Sequence, residues 1–373
     1  MNESIEPAGI RVSGAELNDL QYRLAAARWP DASPVSDESR GIPEQKLASL
    51  AEYWRDGFDW RAREAELGEH LFSTVIDGQR IGFLHVRSER EDAVPLLLLH
   101  GFPSSIAEFG GMIAPLVAPK NGQAFHLVIP SLPGYGYSTP LSGAGWTMGR
   151  SAAAFAELMR RLGYDRYGVH GGDVGAGIAG SMAGIDGDHI IGLHVVTDPF
   201  TAASVATFLP GMAESLDDGD PVDQVILERM NRFRTDGSGY LAIQNSRPQT
   251  VGYGLTDSPV FQLAWIAEKV DAWTDLPVDR DQLLTTVSLY WFTKSGASAA
   301  HTLYDQAHSS DWGAPPAVPQ GFSVFGSDAT VRKLVPAPAG AFWREHERGL
   351  HFPAMESPTE LAADLRDFFA DLA

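Results

Sequence analysis

"YGVHGGDVGAG", Tyr167 to Gly177, decides how the rest of the chain is read. An apolar, strand-like run enters it, small residues crowd its turn, and a helix-forming stretch leaves it. Such a turn lifts its central side chain clear of a sheet, and small neighbours are needed because strand and helix crowd the backbone. Gly171, Gly172 and Gly175 supply them around Asp173. A carboxylate at a helix N-terminus is favoured in its ionised form, the state an attacking group requires. An aspartate that merely caps its helix is an equal reading of this stretch alone.

Working outward, "VPLLLLHG", "FHLVIPSLPG" and "IIGLHVVT" are short apolar runs that read as strands buried on both faces. "FSTVIDGQRIGFLHVRS" alternates, and its Asp77–Gly78 pair marks a hairpin. "SAAAFAELMRRLG" is a helix ending at Gly163. Strands alternating with helices predict an α/β domain with a mostly parallel sheet. "SGAELNDLQYRLAAARW" predicts a helix capped by Ser13, and "PEQKLASLAEYWRDGFDW" a second amphipathic helix with Pro43 in its first turn. From about Phe200 to Trp312 the alternation gives way to helical, aromatic sequence, an expected lid over the carboxyl ends of the strands. The expected division is an N-terminal helical meander at 1–70, core at 71–200, lid at 201–313 and core again at 314–373.

The chain has 373 residues, 44% of them hydrophobic and 20% charged, enough to bury a sizeable core. Its formal net charge of −20 argues against nucleic acid or an anionic membrane surface as partner. The absence of cysteine excludes disulfides, zinc thiolates and iron–sulfur clusters. No signal peptide is visible, and no run approaches the about 18 apolar residues of a membrane span. These features predict a soluble, cytoplasmic protein without a membrane anchor. No second cluster of His, Asp or Glu lies near Asp173, so a metal site there is not expected.

"LLLLHGFPSS" raises the functional reading of Asp173 above the capping one. A His-Gly-x-Pro turn after a strand is the expected oxyanion loop of the α/β-hydrolase fold, which makes Phe102 N–H and Val174 N–H the candidate donors. His100 itself reads better as a loop-holding residue. In "ERGLHFPAMESP", His351 stands where a late base histidine belongs. Asp328 in "GFSVFGSD" is the preferred acid partner, and Asp198 in "VVTDPF" is its rival. A carboxylate nucleophile cannot usefully attack an ester, since it would form an anhydride. It suits displacement at an sp³ carbon, with epoxide oxygen or halide as leaving group.

These pieces, taken in order, resemble the microsomal-type epoxide hydrolases. "ELNDLQYRLAAARWPD" is similar to that family's N-terminal module, while "PSLPGYGYS" and "PQTVGYGLTDSPVFQLAWIAEKVDAWTD" are similar to its core and lid signatures. The resemblance implies a cofactor-independent enzyme acting on a small hydrophobic epoxide with water. It implies two lid tyrosines that hydrogen-bond the epoxide oxygen: Tyr240 in "GSGYLAIQ" and Tyr304 in "YWFTKSGASAAHTLYD". Tyr253 and Tyr290 stand as substitutes. The N-terminal helices are expected to pack over the lid; a homodimer is compatible with the sequence, but no pattern encodes one. Three positions depart from the family: Val174 and Phe102 where tryptophan is usual, and Leu350 where glycine commonly precedes the base histidine. They bear on pocket shape rather than on the backbone donors. Two alternatives stay open, a dehalogenase with the same machinery and a non-catalytic ligand-binding relative. Halide release would identify the first, and failure to turn over a panel of epoxides the second.

Overall fold

Residues 4–9, 11–35, 37–311, 316–335 and 337–372 are described in the computed structural model. Asp77 and Gly78 both adopt positive φ, 51° and 74°, the conformation of a two-residue hairpin turn. They join β2 (Leu71–Ile76) to β3 (Gln79–Val86), while β1 (Glu6–Pro7) pairs with the far edge of β2. The remaining strands are β4 (Val94–Leu99), β5 (Phe125–Pro130), β6 (Tyr167–Gly171), β7 (Ile190–Thr197), β8 (Gln320–Val324) and β9 (Phe342–Glu345). Their order is β1-β2-β3-β5-β4-β6-β7-β8-β9, antiparallel as far as β5 and parallel beyond it.

The four leucines of β4 show why this sheet reads as continuous apolar sequence. Leu97 and Leu99 pack with Val169 and Ile178 on one face. Leu96 and Leu98 pack with Leu361, Leu365 and Phe369 of the last helix, Pro358–Ala370, on the other. Both faces are covered, so alternation would be destabilising here. This is an α/β-hydrolase architecture, with its mostly parallel sheet as expected.

Seven α-helices lie between β7 and β8 among the described residues, from Pro199–Ala206 to Ser295–Ala307. The expected lid boundary at 313–314 falls outside the described residues. Ser13 and Glu16 form the reciprocal cap of Gly14–Ala25. The stretch read as one helix from Pro43 is two: Glu44–Asp56 ends at Gly57, and Asp59 caps a new helix, Trp60–Gly68. Pro43 caps the first rather than entering it. Leu20, Leu47 and Trp54 of these N-terminal helices share a core with Leu263, Leu284 and Val287 of the inserted helices, and Trp54 Nε1 donates to Ser288 Oγ at 2.9 Å. None of the described helices is long and apolar enough to cross a membrane.

Candidate active site

Asp173 sits between β6 and the helix Val174–Ile185 with φ 51° and ψ −126°, a conformation costly for a side-chain-bearing residue. The surrounding packing leaves no slack. A Cβ on Gly175 would lie 2.2 Å from the Leu99 carbonyl oxygen, and one on Gly101 would lie 2.4 Å from Cβ of Asp173. Helix, strand and neighbouring loop therefore meet at van der Waals distance only because these positions are glycine. No side-chain cap bond is made by Asp173, so the capping role does not explain it.

The loop after β4 reaches Asp173 from the side. Phe102 N–H donates to Asp173 Oδ1 at 2.8 Å. Val174 opens its helix, so its N–H has no acceptor within that helix. His100 holds the loop: one ring nitrogen bonds the Gly101 carbonyl at 2.9 Å, and the other accepts from Leu132 N–H at 3.3 Å. Burial pushes its pKa down to about 4, so it stays neutral in this structural role.

His351 approaches the second oxygen of the nucleophile candidate, with Nε2 3.7 Å from Asp173 Oδ2. Its other nitrogen corrects a sequence expectation. Nδ1 faces Asp198, 3.5 Å from Oδ2, and the Thr201 hydroxyl at 2.8 Å. That hydroxyl also bonds Asp198 Oδ2, so it spends its proton there and accepts from Nδ1–H. Asp198 is almost wholly buried, and its Oδ1 accepts from Phe200 N–H at 2.8 Å and Thr201 N–H at 3.0 Å. Asp328 is not brought to His351. Its carboxylate pairs with Arg229 of the inserted helices at 2.7 Å and accepts from Thr330 N–H at 2.9 Å as a helix cap. Both aspartates follow strands; only the fold of the inserted segment decides which is free.

Burial acts to lower the pKa of His351, but Asp198, then the charges of Asp173 and Glu108, outweigh it and raise the value. Burial likewise acts to raise Asp198, and the bonds from His351 and Thr201 overcome it, leaving its pKa lowered. Glu108 was not singled out by sequence reasoning. Burial lifts its pKa to about 7, with His351 and Asp173 within electrostatic reach. One acid inside the otherwise uncharged "SSIAEFGG" was the signal that could have found it.

Tyr240 lies over this group. Its ring stacks on Phe102, centroids 5.9 Å apart and nearly parallel, and tilts against Trp273 at 5.6 Å. Burial raises its phenol pKa, and the Asp173 charge adds to the rise. The half-buried ring of Tyr304 stacks on His308 with centroids 4.0 Å apart. Leu303, one residue earlier, lines a small, mainly apolar cavity with Val174, Ile178, Trp146 and Met148. Of the two substitutes, Tyr290 is buried and donates to the Ser104 carbonyl at 3.0 Å, and Tyr253 is 68% exposed. Among the described residues no group of three or more His, Asp or Glu is arranged to hold a metal ion.

The family model described as epoxide hydrolase N terminus matches residues 5–109, and that of the alpha/beta hydrolase fold matches 94–261. A Stigmatella aurantiaca protein named "Putative epoxide hydrolase" is 40% identical, over 99% of this chain and 85% of its own. The chain belongs to the epoxide hydrolase family. Epoxide hydrolase 1 of Sus scrofa is 32% identical to this epoxide hydrolase, over 98% of this chain and 89% of the pig protein. The structure of Aspergillus niger epoxide hydrolase superposes with a TM-score of 0.82 at 33% identity, covering 99% of this chain and 97% of that one.

Proposed function

We propose that this epoxide hydrolase works through a covalent ester on Asp173, hydrolysed by water that His351 activates. The observation that carries the reading is the division of the Asp173 carboxylate. Oδ1 is held by Phe102 N–H at 2.8 Å, and Oδ2 faces His351 Nε2 at 3.7 Å. Oδ2 attacks a ring carbon as the C–O bond breaks, and its electron pair leaves on oxygen. Tyr240 gives that oxygen a proton. The raised pKa of this phenol makes the resulting phenolate a strong base, which regains its proton from water.

Water then attacks Cγ of the ester while His351 Nε2 takes its proton. Negative charge develops on Oδ1, already paired with Phe102 N–H, and Val174 N–H is the second donor. Collapse breaks the Cγ–O bond to the alkoxide, which takes the proton from His351 and leaves as a vicinal diol. Asp198, with Thr201, keeps the imidazole in the tautomer whose Nε2 lone pair faces the site, the role assigned from sequence to Asp328. The substrate is a small hydrophobic epoxide, bound between the core and the inserted helices.

Asp173→Asn is expected to abolish ester formation, whereas His351→Gln is expected to form the ester and stall. Intact-mass spectrometry after exposure to styrene oxide reads both. An active wild type with no adduct on Asp173 in His351→Gln would overturn the mechanism.

A further inference from the structure

The stretch "SPVFQLAWIAEKVDAWTD" spaces Trp265, Lys269 and Trp273 four residues apart, and the mechanism above gives none of them a part. They lie on the helix Pro259–Ala272 and at its C-terminal cap, where that spacing sets them on one face. The face meets Tyr240. The indole of Trp273 tilts against the Tyr240 ring at 5.6 Å, and the Lys269 ammonium lies over the same ring, 5.2 Å from its centroid. The ring of Trp265 is the ammonium's other aromatic neighbour, at 5.8 Å. Lysine is seldom buried, yet this side chain is only 8% exposed. Its ion pair is with Glu268 at 3.0 Å, whose own side chain is 41% exposed. A partner so open to water offsets little of the cost of burying the ammonium.

We propose that Lys269 is a positioning residue for ring opening, its ammonium balancing the negative charge that Tyr240 acquires as the phenol's proton crosses to the epoxide oxygen. This inference rests on the ester mechanism above and adds a residue to its first step. In the resting site the negative charge is on Asp173, and after burial it is the chief group opposing ionisation of Tyr240. Oδ2 of Asp173 bonds the ring carbon, the ring C–O bond breaks, and the electron pair leaves on oxygen, which takes the Tyr240 proton. The Asp173 charge disappears into the neutral ester, and one negative charge stands on Tyr240. Ring opening thus carries the charge from a carboxylate held by Phe102 N–H to a phenolate beneath Lys269. A buried anion without a counter-charge is costly. A phenolate spreads its charge into the ring, so a cation over the ring attracts it more strongly than it attracts the neutral phenol. An interaction that strengthens on the way to the transition state speeds the step. Water then returns the proton to Tyr240, and Lys269 keeps its own protons throughout.

The test isolates ring opening by timing ester formation on Asp173 in the His351→Gln background under single-turnover conditions. Lys269→Met keeps an unbranched side chain without the charge and is expected to slow ester formation at least about tenfold; Lys269→Arg restores the charge and should stay within about threefold of the parent. In Tyr240→Phe there is no phenol to ionise, so adding Lys269→Met should change the rate by less than about twofold, whereas a packing role would slow both backgrounds alike. A second readout is the titration of 3,5-difluorotyrosine placed at position 240, followed by its fluorine NMR signal. Lys269→Met should raise that midpoint by about one pH unit, a tenfold change in proton affinity. Ester formation within about twofold of the parent in Lys269→Met, an equal loss in the Tyr240→Phe background, or an unmoved titration overturns the inference. Ester formation undiminished by Tyr240→Phe alone refutes Tyr240 as the donor, the reading beneath it, so the two failures are distinguishable.

Discussion

Asp198→Asn is the substitution that separates the two candidate acids. The change is isosteric, and the bonds from Phe200 and Thr201 N–H to Oδ1 can persist. What is lost is the buried negative charge 3.5 Å from His351 Nδ1 and the acceptor of the Thr201 proton. An amide at this place can donate toward Thr201 or Nδ1, which favours the imidazole tautomer with its proton on Nε2. That proton would point at Asp173 Oδ2, where a lone pair is needed. Losing the correct tautomer and the counter-charge to the imidazolium costs about 4 kcal/mol of transition-state stabilisation, roughly a thousandfold in turnover. Asp328→Asn removes a partly exposed pair with Arg229 and should leave turnover within about twofold, with a stability loss of about 1 kcal/mol or less. Steady-state diol formation measures turnover, and intact mass should show the Asp198→Asn enzyme accumulating ester. A large loss in Asp328→Asn together with a near-normal Asp198→Asn would refute the reasoning.

The pKa of His351 is raised in the free enzyme, in part by the Asp173 charge; esterification removes that charge, so the acidic limb of ester hydrolysis, where neutral His351 is the base, should lie below the free-enzyme value. In Asp198→Asn the limb should move to lower pH, since burial remains and its chief opponent is gone; single-turnover rates against pH check both. Glu108 has a folded pKa of about 7 above an unfolded value near 4.5, so the folded state prefers its proton and stability falls as pH rises between them. Glu108→Gln should therefore gain stability on the order of 3 kcal/mol above pH ~7 and little below pH ~4.5, read by urea denaturation at both ends. Val174→Trp must force an indole into a cavity of about 20 Å³, so it should lower stability by about 1–3 kcal/mol and reduce kcat/KM for branched epoxides more than for unbranched ones. Gly175→Ala puts a methyl 2.2 Å from the Leu99 carbonyl oxygen and should cost more than about 3 kcal/mol, visible as a collapse in Tm or in soluble yield.

The elbow and the buried strands were legible because their requirements are local. Small residues around Asp173 and continuous apolar runs such as Leu96–Leu99 carry the same meaning wherever they occur. The acid partner was not legible in this way. Asp198 and Asp328 both follow parallel strands, and only the fold shows that Asp198 faces His351 while Asp328 pairs with Arg229, remote in sequence. Nor could the sequence show which side of its helix Tyr304 occupies. Lys294 breaks the aromatic stretch with φ 57°, and the new helix sets Leu303 and Tyr304 in a phase no pattern states. Thr201 and Glu108 were passed over because each is ordinary alone. Their interest comes from the groups the fold sets beside them.

The central claim, that Asp173 forms the bond to substrate, is tested most directly with heavy-oxygen water. A single turnover with enzyme in excess should deliver the label to the Asp173 carboxylate and leave the diol unlabelled, because water attacks the ester carbonyl. Label in the diol after that first turnover, with none in the peptide carrying Asp173, would mean that water attacks the epoxide directly, and would contradict the account.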